Sequence, residues 1–275
     1  MPFCAPAGHA AIDLAAVWWN LVVMQLSQSA TDLPAVDLRA LLRRAEAAGQ
    51  PRIEPVDLGG RRYWIKRPEV LSLRWRLQKG DPRRAFARER RVHRTMAEHG
   101  APVPPILAEG ESFLVLPDCG PSLETVLKTA PQAERLRAFQ AAGATLAALH
   151  AKGLVHGRPL PRDLCWDGRE IVLLDFEGAS RTQAKPRRMV LDLVQAIHGI
   201  HALTACHAAE ADAFCQGYRA GDDARLWQAA QDWARRWRWL DPVTRPLQRY
   251  EARFKPERRY KEVLAIPLTL KQLGA

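Results

Sequence analysis

Apolar positions along the chain change their spacing several times, and each change marks an element. Val36, Leu38, Leu41 and Leu42, with Arg43, Arg44 and Glu46, follow a helical period that predicts a helix over residues 36 to 48, ending near Gly49. Ile53 to Leu58 and Arg62 to Ile65 read as two strands joined by Gly59-Gly60, a compact hairpin signal. Asp81-Pro82 opens a helix through His99 that closes at Gly100, because Pro102, Pro104 and Pro105 forbid its continuation. Phe113 to Leu116 is a short buried strand ended by Pro117-Asp118.

Beyond this point the period lengthens. Gln132 to Ala151 is a long helix with Leu136, Phe139, Leu146 and Leu149 among its apolar positions, and Ile171 to Leu174 is a strand that delivers Asp175. From Met189 to the end the chain reads as helices punctuated by Gly217, Gly221, Pro242 and Pro246. The expected class is α+β with two lobes: a small strand-rich half over residues 34 to 118 and a larger helical half over residues 119 to 275.

Residues 1 to 33 are expected to be an extension outside this fold. Their apolar run, Leu14 to Met24, is interrupted by Asn20 and is too short to span a bilayer. Residues 1 to 9 hold no Lys or Arg, which argues against a secretory signal. Two readings stay open: an upstream extension before the polar linker Ser27 to Pro34, with the biological start near Met24, or an amphipathic helix resting on the inner membrane.

Composition narrows the partners. With 275 residues and 47% hydrophobic content, the chain has ample material for a buried core. Its 41 Lys and Arg against 30 Asp and Glu give a net charge of +11, which favours nucleotides, phosphorylated sugars, acidic membrane surfaces or nucleic acid. Five cysteines, Cys4, Cys119, Cys165, Cys206 and Cys215, are odd in number and contain no C-x-x-C pair. That argues for a reduced cytoplasmic setting and against structural zinc.

The candidate chemistry begins at His156-Gly157-Arg158-Pro159-Leu160-Pro161-Arg162-Asp163, directly after the long helix, and continues at Asp175-Phe176-Glu177. Asp175 follows four apolar residues, where a carboxylate is costly without a partner or an ion. Upstream, Tyr63-Trp64-Ile65-Lys66 ends the second hairpin strand and Glu89 lies on the following helix. Taken in order, these segments resemble the protein-kinase-like phosphotransferases, with their H-G-D or H-R-D loop and D-F-G or D-F-E turn. Within that superfamily the likeness is to the bacterial lipopolysaccharide core kinases, the Kdo and heptose kinase group, and to related small atypical kinases. It rests on D-F-E, the H-G opening, Ala101-Pro102-Val103-Pro104, and the basic run from Arg67 through Arg88, with Arg74, Arg76, Lys79, Arg83 and Arg84.

The resemblance covers residues 50 to 200 and implies a two-lobed protein-kinase-like fold that uses ATP and Mg2+. It implies that Lys66 holds the α- and β-phosphates, that Glu89 pairs with that lysine, and that the hinge bearing Leu116 and Asp118 touches adenine. Asp163 takes the place of the family's metal-binding Asn and Asp175 that of the Asp in D-F-G, so both are expected to ligate magnesium. Ser122 and Leu123 would start the next helix, and Asp192 would anchor the loop backbone. His156 is expected to hold the loop rather than to perform chemistry.

Two departures qualify the activity. Only Gly59-Gly60 precedes Lys66, with no G-x-G-x-x-G, and Arg158 stands where the pattern has its catalytic Asp. A guanidinium cannot accept the proton of an attacking hydroxyl. The candidates for chemistry are therefore Asp163 acting as base and metal ligand, Arg158 clamping a transferred phosphate, and His156 beside them. The expected function is an ATP-dependent phosphotransferase acting on a lipopolysaccharide core sugar or a similar anionic acceptor, such as a lipid-linked sugar, bound by small-lobe arginines. The alternatives are a pseudokinase-type scaffold or regulator and an atypical Ser/Thr protein kinase. The expected location is cytoplasmic, with peripheral contact at the inner membrane.

Near the C-terminus, Leu226, Ala230, Trp233, Trp237 and Leu240 recur at helical spacing, with Arg225, Arg235, Arg236 and Arg238 on other faces. This reads as a helix packing its tryptophans into the larger lobe, ahead of a surface that stacks on single-stranded RNA. The basic tail Arg249 to Lys261 fits RNA or an acidic membrane surface.

Overall fold

The structure is a computed structural model that describes residues 35–47, 49–70, 81–176, 184–203, 208–222, 224–255 and 260–274. The expectations for the extension at residues 1–33, for Arg74, Arg76 and Lys79, for Cys4 and Cys206, and for Glu177 lie outside the described residues. The chain is a mixed α+β protein in two compact units, one ending at Val70 and adding Pro105–Pro117, the other made of Leu71–Pro104 and Asp118–Ala275.

The smaller unit holds helix α1 (Ala35–Glu46) and strands β1 (Ile53–Leu58), β2 (Arg61–Lys66), β3 (Ala108–Glu109) and β4 (Leu114–Pro117). The antiparallel sheet has the order β1-β2-β4-β3. Leu58 pairs with Arg61, so the loop is just Gly59 and Gly60, both at positive φ as a two-residue hairpin turn demands. Leu38, Leu41 and Leu42 from α1 cluster with Tyr63, Ile65 and Val115 from the sheet and with Phe113 just before β4. Alternation along β2 sends Tyr63 and Ile65 inward.

Arg67 corrects one expectation. The basic run that starts there reads as a surface for an anionic acceptor, yet Arg67 is buried at 8% exposure. Its guanidinium donates to Glu54 at 2.9 Å and to the carbonyls of Ala45, Pro51 and Arg44 at 3.2, 3.1 and 2.6 Å. Burial opposes the Glu54 charge, but hydrogen bonds from Arg44 and Arg67 outweigh it and hold the carboxyl below the usual range. A cation satisfied this fully inside its own unit offers nothing to a ligand.

The larger unit contains α2 (Pro82–Glu98), α3 (Leu123–Thr129), α4 (Gln132–Ala151), the short strands β5 (Leu164–Trp166) and β6 (Ile171–Leu173), and helices α5 (Pro186–Ala202), α6 (Ala208–Gly221), α7 (Arg225–Trp237), α8 (Leu240–Phe254) and α9 (Glu262–Gln272). Asp81 caps α2 by accepting from the Arg83 N–H at 3.0 Å, and Ser122 caps α3 by accepting from Thr125 at 3.3 Å. Val92 and Met96 of α2 join the core built around Phe139, Leu193, Ile197, Phe214 and Tyr218.

Gly217, expected to separate helices, instead lies inside α6. A Cβ there would sit 1.9 Å from the Gln140 carbonyl oxygen, and one at Gly143 would sit 1.9 Å from that of Phe214. The two glycines let α4 and α6 approach backbone to backbone. Pro242 and Pro246 likewise fall within α8. On α7 the small residues face inward: Ala230 and Ala234 are fully buried, while Trp227 and Trp233 pack against the core from partly buried positions. Among the described residues no helix is long and apolar enough to cross a membrane.

Candidate functional site

Helix α4 ends at Ala151, and the chain reaches His156 through Gly153, at φ 74°. At His156 and Gly157 the backbone is held by helix α5. Asp192, 2% exposed, accepts the His156 N–H on Oδ2 and the Gly157 N–H on Oδ1, both at 2.7 Å. The same carboxylate lies 3.3 Å from His150 Nε2, and His150 Nδ1 lies 2.8 Å from the Tyr218 hydroxyl. Asp192 thus anchors the loop, as the resemblance implies. The His150–Tyr218 brace joins residues from α4 and α6.

His156 is completely buried. Its Nε2–H donates to the Leu174 carbonyl at 2.8 Å, and its Nδ1 receives the Arg158 N–H at 3.4 Å. Burial lowers its pKa, overcoming the nearby Asp192, the Leu174 carbonyl and Asp175. The ring is therefore a neutral imidazole with the proton on Nε2, engaged at both nitrogens. It positions the loop and has no surface to offer a substrate.

The effect reaches Asp175 through Leu174. Leu174 gives its N–H to the Asp163 carbonyl at 2.9 Å and its own carbonyl to His156. On the other side Phe176, 2% exposed, packs its ring 5.1 Å from that of His156 and 6.1 Å from that of His93. Pinned between these neighbours, Asp175 adopts φ 59°, a left-handed conformation that non-glycine residues rarely take. Such geometry costs about 1–3 kcal/mol and persists where surrounding contacts over-determine it.

Asp163 closes a 3-10 turn, Pro161–Asp163, in which its N–H donates to the Leu160 carbonyl at 2.8 Å. Its side chain is buried, and Oδ2 has no hydrogen-bond partner. Asp175 Oδ1 is likewise buried without a partner. Burial pushes the Asp163 carboxyl up to about 6; Arg162 opposes the rise, the Asp175 charge adds to it and Arg158 opposes it. Arg162 Nε lies 3.5 Å from Asp163 Oδ1, and Arg158 Nη2 lies 3.9 Å from Asp175 Oδ2. The Arg158 side chain remains about half exposed.

Two electrostatically coupled carboxylates, each with an unpartnered oxygen, form an oxygen-only donor set. Among the described residues no group of three or more His, Cys, Asp or Glu side chains forms a fuller metal cage. That composition suits magnesium, which commonly binds one or two carboxylates and completes its shell with water and phosphate oxygens.

The structure therefore brings together His156, Arg158, Asp163 and Asp175. Glu89 is a half-buried residue of α2 in the same unit, and the exposed Asp118 accepts the Gly120 N–H at 3.3 Å. Lys66 and Leu116 belong to the smaller unit, on β2 and β4, where Lys66 pairs with Leu114 and Leu116 with Trp64. Sequence reasoning did not anticipate His150, Tyr218, His93 or Arg162. Of these, Arg162 alone carried a visible signal, its adjacency to Asp163.

No protein-family model matches the chain. Solved structures share partial similarity, among them the following two. The bifunctional kinase-methyltransferase WbdD aligns over 62% of this chain with 15% identity and a TM-score of 0.41, and the aligned part spans 47% of the WbdD chain, under half its length. A divergent kinase that lacks the glycine-rich loop and regulates membrane ultrastructure of the Toxoplasma parasitophorous vacuole aligns over 80% of this chain and 93% of its own, with 14% identity and a TM-score of 0.40. Similarity in sequence is stronger for an uncharacterized protein of Haemophilus influenzae, 31% identical over 204 residues that span 72% of this chain and 82% of that one. The chain belongs to the same family as that Haemophilus influenzae protein.

Proposed function

We propose that the chain is an ATP-dependent phosphotransferase of the protein-kinase-like type, resembling the lipopolysaccharide core sugar kinases, with an anionic sugar as acceptor. The observation that carries this reading is the pair of buried, unpartnered oxygens on Asp163 and Asp175, presented by a loop that Asp192 and His156 hold in place. Buried carboxylate oxygens without donors are costly unless a cation completes them.

Asp163 and Asp175 would hold Mg2+, which when bound neutralises phosphate charge as transfer proceeds. Arg158, half exposed beside Asp175, is placed to steady the phosphate being moved. Asp163, the carboxylate that the loop itself supplies, would also take the acceptor's hydroxyl proton in place of the missing Asp. The remaining roles are those the resemblance implies: Lys66 would hold the α- and β-phosphates, Leu116 and Asp118 would contact adenine, and Glu89 takes the place of the family's helix glutamate.

A second reading, a nucleotide-binding scaffold or regulator without transfer, is favoured by one observation. Arg158 occupies the position of the usual base and contacts Asp175 at 3.9 Å, a cation already facing the carboxylate. A thermal-shift titration with ATP, with and without magnesium, tests both readings. Each expects a magnesium-dependent rise in melting temperature that Asp175→Ala abolishes; an unchanged shift in that variant removes the nucleotide assignment. Phosphate transfer to candidate sugar acceptors, measured for wild type and Asp163→Ala, then separates enzyme from scaffold. Equal transfer by both proteins would refute the role given to Asp163.

A further inference from the structure

Helix α8 carries its apolar residues on the side that faces water. Of the seven large apolar side chains that stand exposed among the described residues, five fall on one stripe: Trp239 at 49%, Val243 at 64%, Leu247 at 58%, Tyr250 at 51% and Phe254 at 63%. Their spacing of three and four residues keeps them on one line along the helix. Past the half-buried Leu240, the side that α8 buries is polar instead. Thr244 and Gln248 are half-buried there, Glu251 is buried, and Gln248 Nε2 donates to Thr244 Oγ1 at 2.9 Å. At 3.6 residues per turn the apolar stripe lies about a quarter turn from that polar side. Exposed apolar residues scattered singly need no explanation, but a contiguous row of this kind marks a binding surface.

Cations border the stripe. Arg249 and Arg253 run along its edge at a four-residue interval, the Arg253 guanidinium lies 5.7 Å from the Phe254 ring centroid, and the Lys255 ammonium lies 5.5 Å from that of Tyr250. Aromatic residues mark both ends, Trp239 at the start and the Tyr250–Phe254 pair, with ring centroids 5.1 Å apart, at the finish. An apolar stripe with aromatic ends and a basic border is the make-up of a helix that lies in a bilayer interface, apolar side down and cations at the headgroups.

We propose that α8 docks the protein onto an anionic bilayer surface, with Trp239, Val243, Leu247, Tyr250 and Phe254 entering the interface and Arg249, Arg253 and Lys255 meeting acidic headgroups. Val243 and Leu247 have no ring to stack on a base, so the stripe matches a lipid surface better than single-stranded nucleic acid. This inference does not depend on phosphate transfer.

Flotation of the full chain with vesicles of phosphatidylethanolamine and phosphatidylglycerol, compared with pure phosphatidylcholine vesicles, is the test. Binding is expected to the anionic vesicles and to weaken as salt rises. L247E/F254E is expected to lower it at least about tenfold, and each of R249S and R253S roughly fivefold. Bromine-labelled acyl chains are expected to quench a part of the tryptophan emission that W239F removes, a readout that does not require a disruptive substitution. A wild-type protein that stays off anionic vesicles overturns the proposal, as does quenching unchanged in W239F or binding unchanged in L247E/F254E. So does a stripe whose substitution dissolves a dimer, or abolishes binding to single-stranded RNA, while vesicles are not bound.

Discussion

Replacing Asp163 by Asn is expected to make the protein more stable at neutral pH. The carboxyl is buried, Oδ2 has no donor, and burial raises its pKa from the ordinary 3.8 to about 6. A change of that size corresponds to roughly 3 kcal/mol of penalty on the charged form. Partial access of solvent reduces this to about 1–2 kcal/mol. Because the folded pKa lies above the unfolded one, the folded chain holds the proton more tightly. The stabilisation this gives is complete below about pH 4 and is lost as pH rises through about 6. At neutral pH the wild type therefore bears the cost of the charge and D163N does not. Calorimetry without magnesium is expected to show D163N melting roughly 2–6 °C higher at neutral pH, with the gap closing at about pH 4. A variant that melts at or below the wild-type temperature at neutral pH, or whose advantage is independent of pH, would refute the reasoning.

Other substitutions probe the supports of the site. Asp192→Ala leaves the His156 and Gly157 N–H groups without their acceptor and is expected to cost roughly 3 kcal/mol in a urea titration. Gly217→Ala puts a methyl 1.9 Å from the Gln140 carbonyl oxygen, with an expected loss of roughly 3 kcal/mol or insoluble expression. Arg158→Ala is expected to keep the magnesium-dependent ATP thermal shift while slowing transfer on the order of 100-fold, read from initial rates. Tyr260 donates its hydroxyl to the buried Glu124 at 2.9 Å and also interacts with Arg162, so Tyr260→Phe is expected to cost about 1 kcal/mol by thermal melting.

Helix α4 was legible to its ends because it combines a long apolar period with Pro131 before it and Gly153 after it. The hairpin was legible from Gly59-Gly60, although β2 extends one residue further at each end than its pattern suggests. Strands β3 and β5, two and three residues long, carry no periodicity that a sequence reading can register. Gly217 and Pro246 misled as helix breaks because close packing of α4 and α6 wants a residue without a side chain, and because tertiary contacts carry α8 past its proline. The order of the His156–Asp163 segment and Asp175 was visible, since a motif is written in spacing. The His150–Tyr218 contact spans 68 residues and exists only once the helices pack. Arg67 looked like one more surface cation because sequence does not reveal the four acceptors that surround it.

The chain passes from one compact unit to the other three times, at residues 70, 104 and 117. Strand β4 pairs with β2, yet the residues between them include α2, whose Val92 and Met96 belong to the other unit's core. The sheet therefore cannot close until α2 has been synthesised, and closing it requires a loop of nearly fifty residues, about as costly entropically as loop-closure scaling allows for such a span. During synthesis the hairpin β1–β2 emerges first and must wait with one edge of β2 unpaired. A fragment cut at Val70 would keep the hairpin and lose the strand that completes its sheet, so neither unit is separable by a single cut of the chain.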